Sequence, residues 1–264
     1  MPDPAQPAGA PTPRQTAPEA GDTTLSPLDS GRFGLVVARN PRVTCATLAA
    51  ANTFCQRQRA ALLIARCPAG DVPTVHCLEG DGFRWMDTLV YWRRALMDKP
   101  IPARAHLDGL SIRPLRGEDA PGVAALARAA FTDYGGHYHA DARLNADAAI
   151  AVYVDWAANC CAEPGFADIV FGVEDSQQIL GFMALKEVGQ GTCDISLVAV
   201  APAVQGRGLF RALLVEALHW MADRAFVAAE YSCILTNIGA QAGLARVGFE
   251  LDHAVHTFHK WFDS

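Results

Sequence analysis

The sequence predicts an α/β (α+β) protein in which a mixed, mostly antiparallel sheet is flanked by helices. Over residues 110–264, apolar segments of strand length alternate with segments of helical periodicity. A smaller α/β unit is predicted over residues 25–105, and it ends in the Pro- and Ala-rich linker 100–105, where residues before proline favour extended backbone. Residues 1–24 are rich in Pro, Ala, Gly and Thr without apolar periodicity, which predicts a disordered tail.

The elements follow from local patterns in each region. In the first, we predict extended backbone over residues 33–38, a helix over 47–58, and strands over 61–65 and 83–92. In the second, we predict a strand from Ile112, helices over 123–131 and 142–160, and strands over 169–173, 179–187 and 193–200. A helix after Gly208, a strand over 231–235, a helix over 239–246 and a strand over 254–261 complete the chain.

Residues 197–214, LVAVAPAVQGRGLFRALL, carry the most specific local pattern. The apolar strand ends at Pro202, which has no N–H to donate, and an amphipathic helix opens near Gly208. Free N–H groups and the positive end of the helix dipole attract anions, and glycine lets the backbone approach a ligand closely. With Gln205 and Arg207 as side-chain donors, the segment predicts a pyrophosphate-binding turn, although an ordinary strand-turn-helix connection has the same spacing.

Three motifs in this region resemble those of the GCN5-related N-acetyltransferase (GNAT) superfamily, and they stand in the family's order. Gln205-Gly206-Arg207-Gly208 is similar to its Gln/Arg-x-x-Gly-x-Gly/Ala acetyl-CoA signature. The opening strand and first helix are matched by Ile112-Arg113-Pro114 with Glu118-Asp119, and the second cofactor motif by Asn237, Ala240 and Gly248-Phe249. The resemblance implies an acyltransferase that takes acetyl-CoA as co-substrate and acetylates an amine, without a metal.

The resemblance also implies where acetyl-CoA binds. The cofactor would lie in a splay between parallel strands 196–200 and 231–235, with its pantetheine arm hydrogen-bonded to the backbone of Val198 and Val200. Asn237 would bind the pantetheine, or it could simply cap the helix that follows, or do both. Phe210 stands where the signature usually has Gly or Ala. The pyrophosphate would contact the turn formed by Gln205, Gly206, Arg207, Gly208, Leu209 and Phe210.

A narrower resemblance is to the TDP-fucosamine acetyltransferase group, which acetylates amino-sugar nucleotides after a truncated N-terminal domain. It rests on residues 28–34 (LDSGRFG), on Tyr153-x-x-Trp156 and on His259-Lys260-Trp261. It implies direct transfer to a TDP-4-amino-4,6-dideoxyhexose and a product used in a surface polysaccharide. The chain departs from the family at Leu244, where many members have a tyrosine that protonates the thiolate, and at Cys233-Ile234 in place of Thr-Gln. Tyr231, Ser232 or Cys233 could replace the tyrosine.

Acetyl transfer requires a base for the amine, so we searched for acids and histidines near the predicted thioester. Asp194 and His139 are the predicted catalytic residues, with Glu187 as a further candidate, although each could equally be a solvated side chain. The Val198 N–H is the predicted oxyanion donor.

The acceptor is expected to meet residues 132–143, TDYGGHYHADAR, where aromatic, charged and glycine residues concentrate. We predict Tyr134, His137, Asp141 and Arg143 as substrate-binding residues. His137 and His139 have no third ligand at plausible spacing, so no metal is predicted.

Composition limits the remaining possibilities. A net charge of −6 without a basic cluster disfavours nucleic acid. No run approaches the roughly 18 apolar residues of a membrane span and no secretory signal is recognisable, so we expect a cytoplasmic protein that does not bind membranes. The 8 cysteines show no Cys-x-x-Cys spacing and are predicted to be buried, reduced thiols. A homodimer is compatible with the sequence.

Three hypotheses follow: an N-acetyltransferase for an amino-sugar nucleotide, an N-acetyltransferase for another small-molecule or protein amine, and a non-catalytic acyl-CoA-binding module.

Overall fold

A computed structural model describes residues 23–97 and 99–262, so residues 1–22 of the predicted tail lie outside the described part. The ten strands are β1 (Thr24–Leu25), β2 (Val37–Asn40), β3 (Leu62–Pro68), β4 (Arg84–Ala95), β5 (Ser111–Pro114), β6 (Ile169–Glu174), β7 (Ile179–Gly189), β8 (Thr192–Val200), β9 (Ala228–Ile234) and β10 (Glu250–Trp261). The helices are α1 (Pro27–Phe33), α2 (Cys45–Gln58), α3 (Val72–Gly80), α4 (Ala120–Phe131), α5 (His137–Ala140), α6 (Ala146–Ala162), α7 (Leu209–Asp223) and α8 (Ile238–Arg246).

The described strands form one sheet in the order β1-β2-β3-β10-β4-β9-β8-β7-β6-β5. Pairs β2/β3 and β8/β9 are parallel and the others are antiparallel, which confirms the predicted mixed, mostly antiparallel sheet. Residues from α4 and α6 pack with Leu62 and Ile64 in one core, whereas those from α2 and α3 pack with Leu63 and Ala65 in another. Because adjacent strand residues point to opposite faces, these helix pairs cover opposite faces of the sheet.

The predicted elements differ from the structure mainly at their ends. The predicted helix over 142–160 begins only at Ala146, because Asn145 caps it by accepting from the Ala148 N–H. The extended segment predicted over 33–38 instead contains the end of α1, and the strand begins at Val37. Thr24, which was assigned to the tail, pairs with Arg39 in the sheet.

Two parts of the chain repeat the same succession of elements. In the first, β2-α2-β3-α3-β4 places a helix after a parallel strand, and β8-α7-β9-α8-β10 does the same in the second. The turn that precedes the last strand has the same local structure in both repeats. Leu78 and Leu244 are fully buried, and their carbonyls accept from the N–H groups of Phe83 and Phe249 at 3.0 and 3.1 Å. A glycine with positive φ precedes each phenylalanine, at φ 81° and 87°.

The two repeats exchange their last strands. β10 pairs with β3 of the first repeat, and β4 pairs with β9 of the second. The guanidinium of Arg94, which is 2% exposed, donates from Nε to the Val247 carbonyl at 2.8 Å and so fixes β4 to the end of α8. The predicted units 25–105 and 110–264 therefore share one sheet.

The cysteines correct one expectation. Cys45 at the start of α2 and Cys77 in α3 form a disulfide, with their Cα atoms 5.7 Å apart, because these two helices pack together. The other six are free, and burial raises the pKa of the Cys160 thiol to about 12, which keeps it protonated. None of the described helices has the length and apolarity to cross a bilayer.

We expect residues 106–264 alone to lack a cooperative fold, because removing β4 leaves β9 and β10 without their shared neighbour. Unpaired strand edges in a sheet interior promote association with other chains. Thermal unfolding followed by circular dichroism measures this, and co-expression with residues 23–105 should restore the transition. A fragment that is monomeric and melts cooperatively by itself would contradict the exchange.

Candidate active site

A cavity of about 380 Å³ opens where β8 and β9 diverge. Their parallel ladder ends at the pair Ile195–Tyr231, so the strand ends beyond it form the splay that the sequence predicted. The cavity wall on this side is formed by Val198, Val200, Tyr231, Ser232 and Asn237, among others. The parallel strands thus leave an unpaired edge inside a cavity.

The main-chain groups of Val198 and Val200 face this open edge. The Ala201 N–H donates to the Leu180 carbonyl of β7 at 2.8 Å, and successive strand residues direct their peptide groups to opposite sides. The Val200 carbonyl accepts from Gln205 Nε2 at 3.2 Å. Gln205 was predicted to bind phosphate, whereas in the structure its side chain braces the turn. An extended ligand can therefore pair with β8 from this side.

The predicted anion site around Gly206 and Gly208 adjoins the cavity at Gly206, which lines its wall, whereas Gly208 does not. Both glycines have positive φ, 78° and 83°, a conformation that residues with a Cβ rarely adopt. Gly208 is the N-cap residue of α7 and has no side chain to accept a hydrogen bond. The first backbone N–H groups of this 15-residue helix therefore have no side-chain acceptor at the cap. Arg207 is exposed beside them. The turn presents positive charge and donors to a phosphate.

Phe210, the departure from the acetyl-CoA signature, fits against a glycine on α8. A Cβ added to Gly243 would lie 2.8 Å from two ring carbons of Phe210. The absent side chain at position 243 therefore makes room for the larger one at 210, which also lines the cavity.

Asn237 both caps a helix and lines the cavity. Its Oδ1 accepts from the Ala240 N–H at 3.1 Å, so the cap uses the oxygen and leaves the amide NH₂ for a ligand. Leu244 is fully buried in the core and carries no proton to donate. Of the proposed replacements, Tyr231 and Ser232 line the cavity, whereas Cys233 is buried and absent from its wall.

The other end of the cavity is aromatic and includes residues from the first repeat. Tyr134 and His137 line it as predicted, together with Tyr138, Tyr153 and Trp156. Arg66 on β3 and Asp87 on β4, which were not predicted from the sequence, also line it. The repeated Leu-x-x-x-Gly-Phe turn before β4 and β10 was a signal that the two regions are related.

Asp87 is buried, and its two oxygens differ. Oδ2 accepts from the His137 backbone N–H at 2.9 Å, whereas Oδ1 has no hydrogen-bond partner among the described residues. A buried, unsatisfied carboxylate oxygen is costly, so a ligand that donates a hydrogen bond would be favoured there. Asp87 is therefore suited to hold an ammonium group.

Neither predicted base lies in the cavity wall. His139 packs beside the rings of Tyr134 and Tyr153, both of its ring nitrogens are buried without a partner, and burial lowers its pKa. Asp194 lies opposite Glu230 on β9, and burial together with that charge raises the pKa of Asp194 to about 8. Ser196 intervenes as a bulge between Asp194 and the open part of β8.

Two predicted substrate residues belong to a different surface. Asp141 and Arg143 line a second cavity of about 560 Å³, together with Arg84, Trp85, His259 and Trp261. Asp141 accepts from the ring nitrogens of His259 and Trp261 at 2.7 and 2.9 Å. Arg143 lies over the Trp261 ring at 4.1 Å. These contacts hold both side chains in the wall of the second cavity and not in that of the first, and their predicted role in acceptor binding stays a prediction.

Part of the chain is similar in sequence to known acetyltransferases. Residues 139–249 match the Acetyltransferase (GNAT) family. Over 171 residues the chain is 30% identical to proteins named mycothiol acetyltransferase from Rhodococcus opacus (strain B4) and Rhodococcus jostii (strain RHA1), which covers 62% of this chain and 53% of each relative. The chain thus matches about half the length of these curated relatives.

Solved structures share the fold at low sequence identity. A GCN5-related N-acetyltransferase from Sphaerobacter thermophilus aligns with a TM-score of 0.64 at 16% identity, over 90% of this chain and 76% of the other. Another from Kribbella flavida aligns with a TM-score of 0.61 at 15% identity, over 94% and 90%.

We expect Gly243→Ala to weaken acetyl-CoA binding by roughly tenfold, because the new methyl group pushes the Phe210 ring into the cavity. Isothermal titration with acetyl-CoA measures the effect. The double variant Gly243→Ala/Phe210→Leu should recover most of the affinity. Unchanged affinity in Gly243→Ala would show that Phe210 can move elsewhere.

Proposed function

We propose that this chain belongs to the GNAT acetyltransferase superfamily, whose family model matches residues 139–249, and that it transfers an acetyl group from acetyl-CoA to a primary amine of a small molecule. The observation that carries the proposal is the continuity of one cavity. It connects the glycine turn and the open edge of β8 at one end with the unpartnered Asp87 oxygen at the other. A pantetheine thioester bound along β8 would thus approach an amine held at Asp87.

The chemistry requires little covalent participation by the protein. The amine nitrogen attacks the thioester carbonyl carbon, the carbon–sulfur bond breaks, and the thiolate leaves with the electron pair. The Val198 N–H at the open edge of β8 supports the oxyanion. Tyr231 is the proposed hydrogen-bond donor to the leaving thiolate, since its side chain lines the cavity at the splay and burial, which raises its pKa well above 10, keeps the hydroxyl protonated.

The acceptor end of the cavity supports a small, polar amine. Aromatic side chains offer faces for a sugar ring, Asp87 offers a carboxylate for the amine, and Arg66 offers one cation for an anionic group. The resemblance to the TDP-fucosamine group supports an amino-sugar nucleotide. The relatives named mycothiol acetyltransferase support a different small-molecule acceptor. Because Arg84 and Arg143 line the separate second cavity, the structure favours an acceptor smaller than a nucleotide diphosphate sugar.

The test is release of free CoA from acetyl-CoA against a panel of amines. The panel contains amino sugars, amino-sugar glycosides, TDP-4-amino-4,6-dideoxyhexoses, aminoacyl amides, polyamines and lysine peptides. We expect turnover with a small sugar or aminoacyl amine, and mass spectrometry should show one added acetyl group. Turnover of a TDP-sugar alone would establish the nucleotide assignment.

Gly208→Val provides the negative control, because a β-branched residue at φ 83° is strained and α7 loses its anion-binding end. It should abolish acetyl-CoA binding and turnover together. Acetyl-CoA binding by the wild-type chain without turnover of any panel amine would overturn the proposal in favour of an acyl-CoA-binding module.

We expect Asp87→Asn to raise the KM for the amine by roughly tenfold to a hundredfold, since a hydrogen bond to a charged group contributes about 1.5–3 kcal/mol. The isosteric amide still accepts from the His137 N–H, and acetyl-CoA affinity should not change. Asp155→Asn, on the exposed surface of α6, is the matched control. An unchanged KM in Asp87→Asn would remove this residue from the acceptor site.

A further inference from the structure

A row of hydrogen bonds joins the side chains of His137, His259 and Asp141, none of which has a role in acetyl-CoA binding. Nδ1 of His137 lies 3.0 Å from Nε2 of His259, and Nδ1 of His259 lies 2.7 Å from Oδ2 of Asp141. All three residues are at most 6% exposed. His137 belongs to the wall of the first cavity, whereas His259 and Asp141 line the second. This row of hydrogen bonds therefore runs through the protein from one cavity to the other.

The partners of Asp141 fix the protons along this row of hydrogen bonds. Asp141 accepts from His259, from the Trp261 indole N–H at 2.9 Å and from the Arg143 backbone N–H at 3.0 Å. After the opposing effect of burial, these bonds lower its pKa to about 2, so it is a carboxylate at neutral pH. A carboxylate only accepts, so Nδ1 of His259 carries a proton, and in the neutral imidazole Nε2 then presents a lone pair.

The tautomer of His137 follows from that of its partner. With a neutral His259 whose Nε2 accepts, the proton shared between the rings is on Nδ1 of His137, and Nε2 of His137 has the lone pair. This Nε2 has no hydrogen-bond partner among the described residues, and the residue lines the cavity. The backbone N–H of His137 donates to Oδ2 of Asp87. The imidazole therefore belongs to a residue that contacts the carboxylate whose Oδ1 is proposed to bind the amine.

We propose that His137 is the general base that accepts the amine proton, and that His259 and Asp141 are positioning residues that hold its tautomer and stabilise its protonated form. The proposal rests on the acetyl transfer proposed above. His137 then has the role of general base that was predicted from the sequence for Asp194 and His139.

The proton and electron balance is simple. An acceptor bound as an ammonium first gives one proton to His137 Nε2, which passes it on through His259, so that the attacking amine is neutral. As the amine nitrogen then bonds to the carbonyl carbon, the second proton passes to His137 Nε2 while the thiolate takes the electrons of the broken carbon–sulfur bond. The Nδ1 proton of His137 can then shift to His259 Nε2, which places the positive charge beside the Asp141 carboxylate. The second cavity gives that pair access to solvent, where the proton leaves.

Burial and neighbouring positive charge keep the base neutral before reaction. Burial and the charges of Arg39 and Arg66 lower the pKa of His137 well below 6.5. The titratable and charged groups around it come from every packed element: Arg39 on β2, Arg66 on β3, Asp87 on β4, Tyr134 before α5, Tyr138 and His139 on α5, Tyr153 on α6 and His259 on β10. The lone pair on Nε2 is therefore available at neutral pH.

The first test examines the free protein and needs no acceptor. Long-range ¹H–¹⁵N correlation spectra of histidine-labelled full-length chain at pH 7 report which ring nitrogen carries the proton. We expect the Nδ1–H tautomer for both His137 and His259, assigned from His137→Gln and His259→Gln. In Asp141→Asn, the His259 signals should lose this single tautomer. An Nε2–H or a protonated His137 would overturn the relay.

The second test is kinetic and uses the panel amine with the highest turnover. His137→Gln should lower kcat by about 10²-fold or more, with acetyl-CoA affinity unchanged. His259→Gln and Asp141→Asn should lower kcat about tenfold with little change in KM, and Asp141→Asn should move the acid limb of kcat to lower pH. The sign follows because losing the carboxylate disfavours protonated His137.

The matched control is His256→Gln, a half-buried histidine on the same strand β10 whose Nδ1 contacts the Thr88 hydroxyl instead. It should keep wild-type kcat. A kcat within twofold of wild type in His137→Gln would overturn the proposal. If no panel amine is acetylated, the proposed function fails, and the tautomer spectra still decide whether the relay exists.

Discussion

The exchange of the last strands between the two repeats is the constraint on which the rest of the structure depends. β4 supplies the hydrogen-bonding partner that β9 and β10 both need, and β10 in turn pairs with β3 of the first repeat. Each repeat lacks a complete sheet without the other. Arg94 reinforces the exchange, because its buried guanidinium donates to carbonyls at Val247 of α8 and at Lys99 and Pro100 after β4. Removing this residue would leave several main-chain acceptors unpaired in the interior.

The same exchange builds the active-site cavity from both repeats. The second repeat provides the open edge of β8 and the glycine turn, which suit acetyl-CoA, while β3 and β4 bring Arg66 and Asp87 to the acceptor end. β10 lies between β3 and β4, and this position places His259 next to His137. The first repeat, which lacks the glycine turn, thus contributes to the acceptor end rather than to a second cofactor site.

Two departures from the superfamily's motifs have physical counterparts in the structure. Phe210 is larger than the residue the signature expects, and Gly243 opposite it leaves the space for the ring. Leu244 cannot donate a proton, but Tyr231 lines the splay and retains its proton at neutral pH. The first change is offset by a residue on a neighbouring element, and the role proposed for Tyr231 is of the same kind. A departure at one motif position therefore does not by itself show that the function of that position is lost.

The alternation of strands and helices and a candidate phosphate turn at Gly206 and Gly208 could be predicted from the sequence alone, because periodicity and glycine placement involve residues close together in the chain. The open strand edge at Val198 and Val200 was implied by the family resemblance. Only the tertiary structure decided the acceptor end. The contacts of His137 with Asp87 and with His259 span 50 and 122 positions of the chain, and strand exchange brings the three residues together. It also paired Cys45 with Cys77 and moved Asp141 from the expected sugar pocket to the far end of the row of hydrogen bonds from His137. Long-range pairing of strands sets these contacts, and no local pattern encodes which strand will lie beside which.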